Sequence, residues 1–208
     1  MSISVELLDC LGSNKTVANA ARVSFAVHTD EFRDKDKRLL RYLAKNNHWA
    51  PYAHVQLSLR LKAPLFVARQ LVKHQVSLCW SEVSRRYVDF TPEFYAPEAW
   101  RKRAPDKKQG SLDETFEGRQ EQRFDEKYWD LMTRCETVYN NMISSGVAPE
   151  QARMVLPQSM MTEWYWTGSL VAFARVVTQR ISEDAQYECR IVAEKIDQLL
   201  VNHEPISY

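Results

Sequence analysis

The chain has 208 residues, 45% apolar and 26% charged, which suffices for one domain with a full hydrophobic core. Lys and Arg number 28 against 27 Asp and Glu, a net charge of +1 that excludes a global field able to recruit nucleic acid or an anionic membrane, so any anion must be held by a local cluster. No stretch reaches about 18 uninterrupted apolar residues, and the N-terminal "MSISVELLDC" lacks a basic region followed by an apolar core. Cys10, Cys79, Cys135 and Cys189 show neither CxxC spacing nor a nearby His at zinc spacing. These features predict a cytoplasmic protein with reduced thiols, no membrane segment and no metal site.

In chain order, "ISVELLDCLG" reads as a short strand closed by Gly12, and "TVANAARVSF" as a helix entered through a polar cap. "DEFRDKDKRLLRYLAKNN" places acids early, bases late and Leu39, Leu40, Tyr42 and Leu43 between them, a surface helix. "HVQLSLRLKAP" alternates Val55, Leu57, Leu59 and Leu61 with Gln56, Ser58, Arg60 and Lys62, a strand with one face on the core; Pro64 is expected at the first position of the next helix. From about Phe90 to Gly118 the chain is rich in Pro, Lys, Arg and Asp without periodicity and reads as a long mobile connection, its "RKRAPDKK" run a solvated loop because acids follow it.

From about Thr115 to Ser145 the pattern is helical and Gly146 ends it; Pro149 starts a short helix, "PEQARMVL". "SMMTEWYWTG" is a strand, and "SLVAFARVVTQRI" and "AQYECRIVAEKIDQLLVN" are helices. Helices outnumber strands without alternating with them one for one, which predicts a single α+β domain over residues 1–208, an antiparallel-containing sheet packed with several helices.

The stretch "KHQVSLCWSEVSRRY", Lys73 to Tyr87, concentrates polar groups directly after the apolar helix "PLFVARQLV". On that helix Leu65, Ala68 and Val72 form the expected inward stripe and Gln70, Lys73 and His74 share the opposite face. Glu82 then supplies an acceptor, Ser84 a hydroxyl and Arg86 a bidentate fork, a set suited to a phosphate and a polar ring rather than a metal. Phe173, Val177 and Arg180 lie at i, i+4, i+7, so Arg180 extends a buried stripe and needs acceptors; Arg153 lies in the apolar "ARMVLP". Internal salt bridges explain either arginine alone, while Arg86, Arg153 and Arg180 together point to an anion pocket.

The segments "HWAPYAH", "PLFVARQLVKHQVSLCWSEVSRRY" and "ARMVLP…WYWTGSL…RISEDAQYE" resemble, in order and approximate spacing, the flavin-dependent thymidylate synthases. The resemblance implies a homotetramer with active sites between subunits, binding FAD, taking reducing equivalents from NADPH and transferring one carbon from methylenetetrahydrofolate to dUMP. By position it implies that Gln70, Glu82, Ser84, Arg86, Arg153 and Arg180 bind the nucleotide. Ser84, Arg86 and Arg153 would hold nucleotide oxygens including phosphate, and Arg180 would be the catalytic cation for charge developing as C5 becomes nucleophilic. It implies no cysteine attack on the ring, so Cys79 is read as packing or pocket wall.

The flavin set departs from the family. Lys73-His74-Gln75, eight residues, then Ser84 stand in place of Arg-His-Arg, seven residues, Ser; Ala50, Ser169, Arg175 and Asp184 stand where Thr, Asn, Asn and His are common. The resemblance leaves His48, Lys73, His74, Gln75, Glu82, Ser169 and Arg175 as candidate flavin or folate contacts. His48 and His54 equally suit a strand entry, and His203 a tail residue. Three alternatives stay open beside the synthase: 5-hydroxymethylation of dUMP, action on dCMP, and a catalytically silent nucleotide-binding homologue.

Overall fold

The alternation over "VQLSLRL" organises the sheet of the computed structural model, which describes residues 2–105 and 110–202. β2 (Gln56–Pro64) buries Leu57, Leu59, Leu61 and Ala63 on one face. It pairs antiparallel along its whole length with β6 (Met161–Ser169), from Gln56 opposite Ser169 to Pro64 opposite Met161. β1 (Ser4–Leu11) lies along the other edge of β2 and β3 (Leu78–Glu82) along the other edge of β6, giving the order β1-β2-β6-β3. On the polar face Arg60 pairs with Glu163 at 2.8 Å and Ser58 with Thr167 at 2.9 Å across the β2–β6 ladder.

The apolar face is covered by α1 (Asn14–Arg22), α2 (Asp34–Lys45), α3 (Leu65–Leu71), α6 (Leu170–Arg180) and α7 (Tyr187–Asn202), whose Val17, Leu40, Leu71, Phe173 and Ile196 share one core with Trp164 and Trp166. Buried Asp36 ties α2 to α1. Burial alone would raise its pKa, but the Arg33 N–H at 2.7 Å and the Arg22 guanidinium bring it below the usual carboxylate value. A smaller apolar cluster of Phe94, Met132 and Met160 lies under the long α4 (Arg119–Ser144), with the short α5 (Pro149–Ala152) beyond it. The architecture is the expected α+β, and Gly146 takes the left-handed turn, φ +84°, that stops α4.

Several local expectations are corrected. Pro64 is the last residue of β2, extended at φ −67° and ψ 152°, because its carbonyl side still belongs to the ladder opposite Met161; α3 starts one residue later. The inward stripe of α3 is Val67, Ala68 and Leu71, with Leu65 turned to the smaller cluster, and the helix ends before Lys73 and His74, which sit in the following turn. β3 lies inside the polar stretch from Lys73 to Tyr87, for which no strand was expected, since Trp80 stacks on Trp164 at 4.4 Å and gains a place on the sheet edge. The segment from Phe90 to Gly118 contains the paired strands β4 (Arg101–Arg103) and β5 (Ser111–Thr115), and buries Phe94 and Tyr95. Asp106, Lys107 and Lys108 of the basic run, and His203, lie outside the described residues.

Gly168 lets the turn into β3 approach β6 closely: a Cβ there would stand 2.3 Å from the Ser77 carbonyl oxygen and 2.6 Å from Leu78 Cδ2. Gly168→Ala is therefore expected to lower unfolding stability by about 2–3 kcal/mol, read as an earlier urea midpoint at unchanged slope. An unchanged midpoint would show that β3 can retreat without cost.

Candidate functional site

The sequence-predicted residues fall into two groups on one chain. The first gathers where α3 and α6 end. Arg180, the last residue of α6, donates from Nε to His74 Nε2 at 2.9 Å. To accept there the imidazole must be the neutral Nδ1–H tautomer. Burial, and then the adjacent Arg180 charge, push the His74 pKa below its ordinary value, which keeps that form. The anticipated acceptor for Arg180 is thus a neutral ring, and the guanidinium keeps its full positive charge. Arg180, Gln70, Gln186, Arg101 and Asp184 line a cavity of about 520 Å³.

The second group stands at the sheet edge. Glu82 closes β3 with both oxygens occupied, accepting from Thr162 Oγ1 at 2.7 Å and Trp80 Nε1 at 3.1 Å. Ser84, Arg85 and Arg153 join it around a cavity of about 380 Å³. Arg153 is exposed, contrary to the expectation from its apolar neighbours, because the helix turns its guanidinium outward and its Nε donates to the Glu150 carbonyl at 3.3 Å. Arg86 is also exposed and pairs with the Glu150 carboxylate at 3.3 Å. Such a solvated pair contributes about 0–1 kcal/mol, so a phosphate dianion can displace Glu150. Leu65 lines this cavity and Gln70 the other, so the two lie at opposite ends of α3, roughly 8 Å apart along its axis.

The cofactor candidates divide as well. Lys73 and Gln75 are exposed in the turn after α3 and offer a cation and an amide outward, while His74 is engaged with Arg180. His48 is exposed with its ring edge-on to Tyr42, and Arg175 lies 5.7 Å from the Trp49 ring centre. Leu43, His48, Trp49, Tyr52 and Leu170 line an apolar cavity of about 150 Å³ between them. Ser169 is buried and caps α6, its Oγ accepting from the Ala172 N–H at 3.3 Å, so its hydroxyl carries a structural duty in this chain. As a donor set for a flavin dinucleotide, Lys73 and Gln75 fit an anionic pyrophosphate, and the Trp49 and His48 rings fit a planar ring system.

Sequence reasoning missed three groups. Arg85 is buried, stacked 4.2 Å from the Phe90 ring centre and donating to the Phe90 carbonyl. Buried Glu188 accepts from Arg101 at 2.7 Å and from Gln186 at 3.0 Å. Arg101 was read within a solvated basic loop, but its guanidinium is drawn inward by that carboxylate and by the Tyr187 ring at 4.4 Å. The available signal was the acid in "AQYE", one residue after a tyrosine on the same short stretch. Among the described residues no His, Cys, Asp or Glu cluster could hold a metal, and no helix is long and apolar enough to cross a membrane.

The family described as "Thymidylate synthase complementing protein" matches residues 6–206. The flavin-dependent thymidylate synthase of Thermus thermophilus is 35% identical over 98% of this chain and 73% of its own length. That of Kosmotoga olearia is 34% identical over 98% and 87%. Among solved structures, a UMP/dUMP methylase from Streptomyces cacaoi bound with 5-Br dUMP superposes with a TM-score of 0.86 at 28% identity, covering 99% of this chain and 92% of that one.

The folded state disfavours protonated His74, so below the unfolded-state pKa of about 6.5 the unfolded chain takes up the proton more readily. This interaction's stability is complete above that pH and declines as pH falls toward the lower folded-state value. His74→Gln, which keeps an acceptor but does not titrate, is expected to flatten the urea midpoint between about pH 7 and pH 5. Parallel curves for the two proteins would rule out His74 as the source.

Proposed function

Because the chain belongs to the flavin-dependent thymidylate synthase family, we propose that it methylates dUMP at C5 to give dTMP, using FAD, with methylenetetrahydrofolate as carbon donor and NADPH as reductant. It is an enzyme of this methyltransferase type. The observation that carries the reading is the Arg180 guanidinium, set against a neutral imidazole on the wall of the 520 Å³ cavity beside Gln70. A fixed cation there stabilises negative charge spreading onto a pyrimidine carbonyl as C5 becomes nucleophilic, and needs no reorganisation when the charge appears.

Ser84, Arg86 and Arg153 hold the phosphate, with Arg86 released from Glu150, and Glu82 takes the sugar hydroxyl, its carboxylate already fixed by Thr162 and Trp80. Lys73, Gln75 and the ring patch of His48 and Trp49 would hold the flavin, which when bound supplies the hydride that completes the methyl group. The two nucleotide groups face separate cavities of one chain, and Val76, Tyr87, Phe90 and Met154, each close in sequence to a site residue, are exposed. Both features support a site closed by a second copy, within a homotetramer.

The test is mass analysis of products after incubation with FAD, NADPH, methylenetetrahydrofolate and each of dUMP, UMP and dCMP, with flavin omitted in controls. Flavin-dependent methyl gain on dUMP is expected; a hydroxymethyl product, a dCMP product, or nucleotide binding without turnover would overturn the synthase reading. Arg180→Ala is expected to lower kcat/KM by about 10²–10³ while the urea midpoint moves little. Gln75→Arg is expected to tighten FAD in an absorbance titration by about tenfold, because a planar fork replaces an amide at a phosphate. An unchanged titration would remove Gln75 from the flavin site.

A further inference from the structure

We propose that Arg85 is a positioning residue for the nucleotide phosphate: buried beneath the turn after β3, it clamps the backbone from which Ser84 and Arg86 project, and the affinity that a phosphate adds to binding depends on that clamp. The inference rests on the reading of Ser84, Arg86 and Arg153 as the phosphate contacts.

Between Ser81 and Phe90 a single side chain is buried, and it is that of an arginine; Val83, Tyr87 and Phe90, the apolar groups that could have anchored the turn, are exposed. The Val83 N–H donates to the Glu163 carbonyl at 2.9 Å, and beyond it, among the described residues, no backbone hydrogen bond ties residues 84–92 to another part of the chain. The Ser84 carbonyl accepts from the Tyr87 and Val88 N–H groups at 2.9 and 3.2 Å, which shapes the turn without attaching it. Polar attachment falls to two arginines, Arg86 on the exposed Glu150 carboxylate and Arg85 inside. Arg85 donates to the Phe90 carbonyl, closing residues 85–90 into a loop with its own side chain, and from the same nitrogen to the hydroxyl of fully buried Tyr139 on α4 at 3.4 Å. Its guanidinium carbon lies 4.2 Å from the Phe90 ring centre and 5.6 Å from that of Tyr139. No carboxylate pairs with it among the described residues, so stacking and the carbonyl offset its burial. A planar fork can stack and bridge at once, and an ammonium cannot.

Phosphate binding makes the turn depend on Arg85 alone. Once Arg86 leaves Glu150 for the ligand, its tie to α5 is gone, and the Arg85 clamp is the polar attachment that remains. A clamped turn presents its hydroxyl and guanidinium already ordered, whereas a loose one must order them on binding, which lowers affinity. That loss falls on a ligand carrying a phosphate and spares the nucleoside, which does not engage Ser84 or Arg86.

Binding isotherms for dUMP and for deoxyuridine, which lacks the phosphate, isolate this effect on the full chain without flavin or turnover. The wild-type protein is expected to prefer dUMP about a hundredfold, the effect of two charge-assisted hydrogen bonds; equal affinities would remove the phosphate reading and the clamp with it. Arg85→Met keeps an apolar stem without fork or charge, and is expected to cut the dUMP-to-deoxyuridine affinity ratio about tenfold while deoxyuridine binding holds. Arg85→Lys, the milder substitution, keeps the charge and carries the test where Arg85→Met does not fold; the same loss is expected, and full rescue would show that charge alone matters and overturn the clamp. Added to Arg86→Ala, Arg85→Met is expected to lower the ratio little further, and fully additive losses would overturn action through Arg86. A ratio unchanged in the Arg85 variants, including both ligands weakened in proportion, would leave the phosphate reading standing and overturn the proposal alone.

Discussion

The antiparallel register between β2 and β6 is the constraint on which the site depends. Gln56 stands opposite Ser169 and Pro64 opposite Met161, so the two strands are matched end to end over nine residues, about 30 Å. α3 leaves one end of this ladder and α6 leaves the other, and both turn back over the same buried face. Seven residues carry α3 about 10 Å and eleven carry α6 about 16 Å, so their C-terminal ends approach over the middle of the sheet. His74 and Arg180 meet there at 2.9 Å. A one-residue slip of β2 would turn Leu57, Leu59 and Leu61 to the solvent face, away from Trp164 and Trp166, and the core would reject it before the site was lost.

The same geometry sets the electrostatics. Both helices bring the negative ends of their dipoles to this point, which favours a cation at the last residue of α6 and another just beyond α3, where Arg180 and Lys73 stand. A carboxylate in the place of His74 would satisfy the Arg180 Nε–H more strongly but would cancel the guanidinium's charge. A neutral imidazole satisfies the donor without that cancellation, and burial keeps the imidazole neutral. Glu188 is applied to Arg101 instead, and its carboxylate holds that guanidinium and the Gln186 amide in place.

What the sequence disclosed follows from the range of the interactions involved. The strand alternation around Leu57 to Leu61, the stop at Gly146 and the buried stripe of Phe173 and Val177 are local patterns, and all were legible. β3 was not, because "LCWSE" gains its strand character from Trp80 stacking on Trp164, eighty-four positions along the chain. The polar type of each site residue was readable, but its partner was not: His74 beside Arg180 and Arg101 beside Glu188 are products of tertiary closure. Arg153 shows the converse error, an apolar neighbourhood in sequence that leaves the side chain in solvent.

Arg85 explains how an exposed turn can keep Ser84 and Arg86 in place. Its guanidinium is buried between the Phe90 and Tyr139 rings, 4.2 and 5.6 Å from their centres, and donates to the Phe90 carbonyl. The turn after β3 is thereby fastened at both ends, to β6 through Glu82 and Thr162 and to α4 through Arg85 and Tyr139. Two adjacent arginines of identical chemistry thus diverge in role because strand exit points one into the α4 packing and the other outward to Glu150. The buried one fixes the backbone, and that leaves the exposed one held only by a weak, solvated pair with a surface carboxylate.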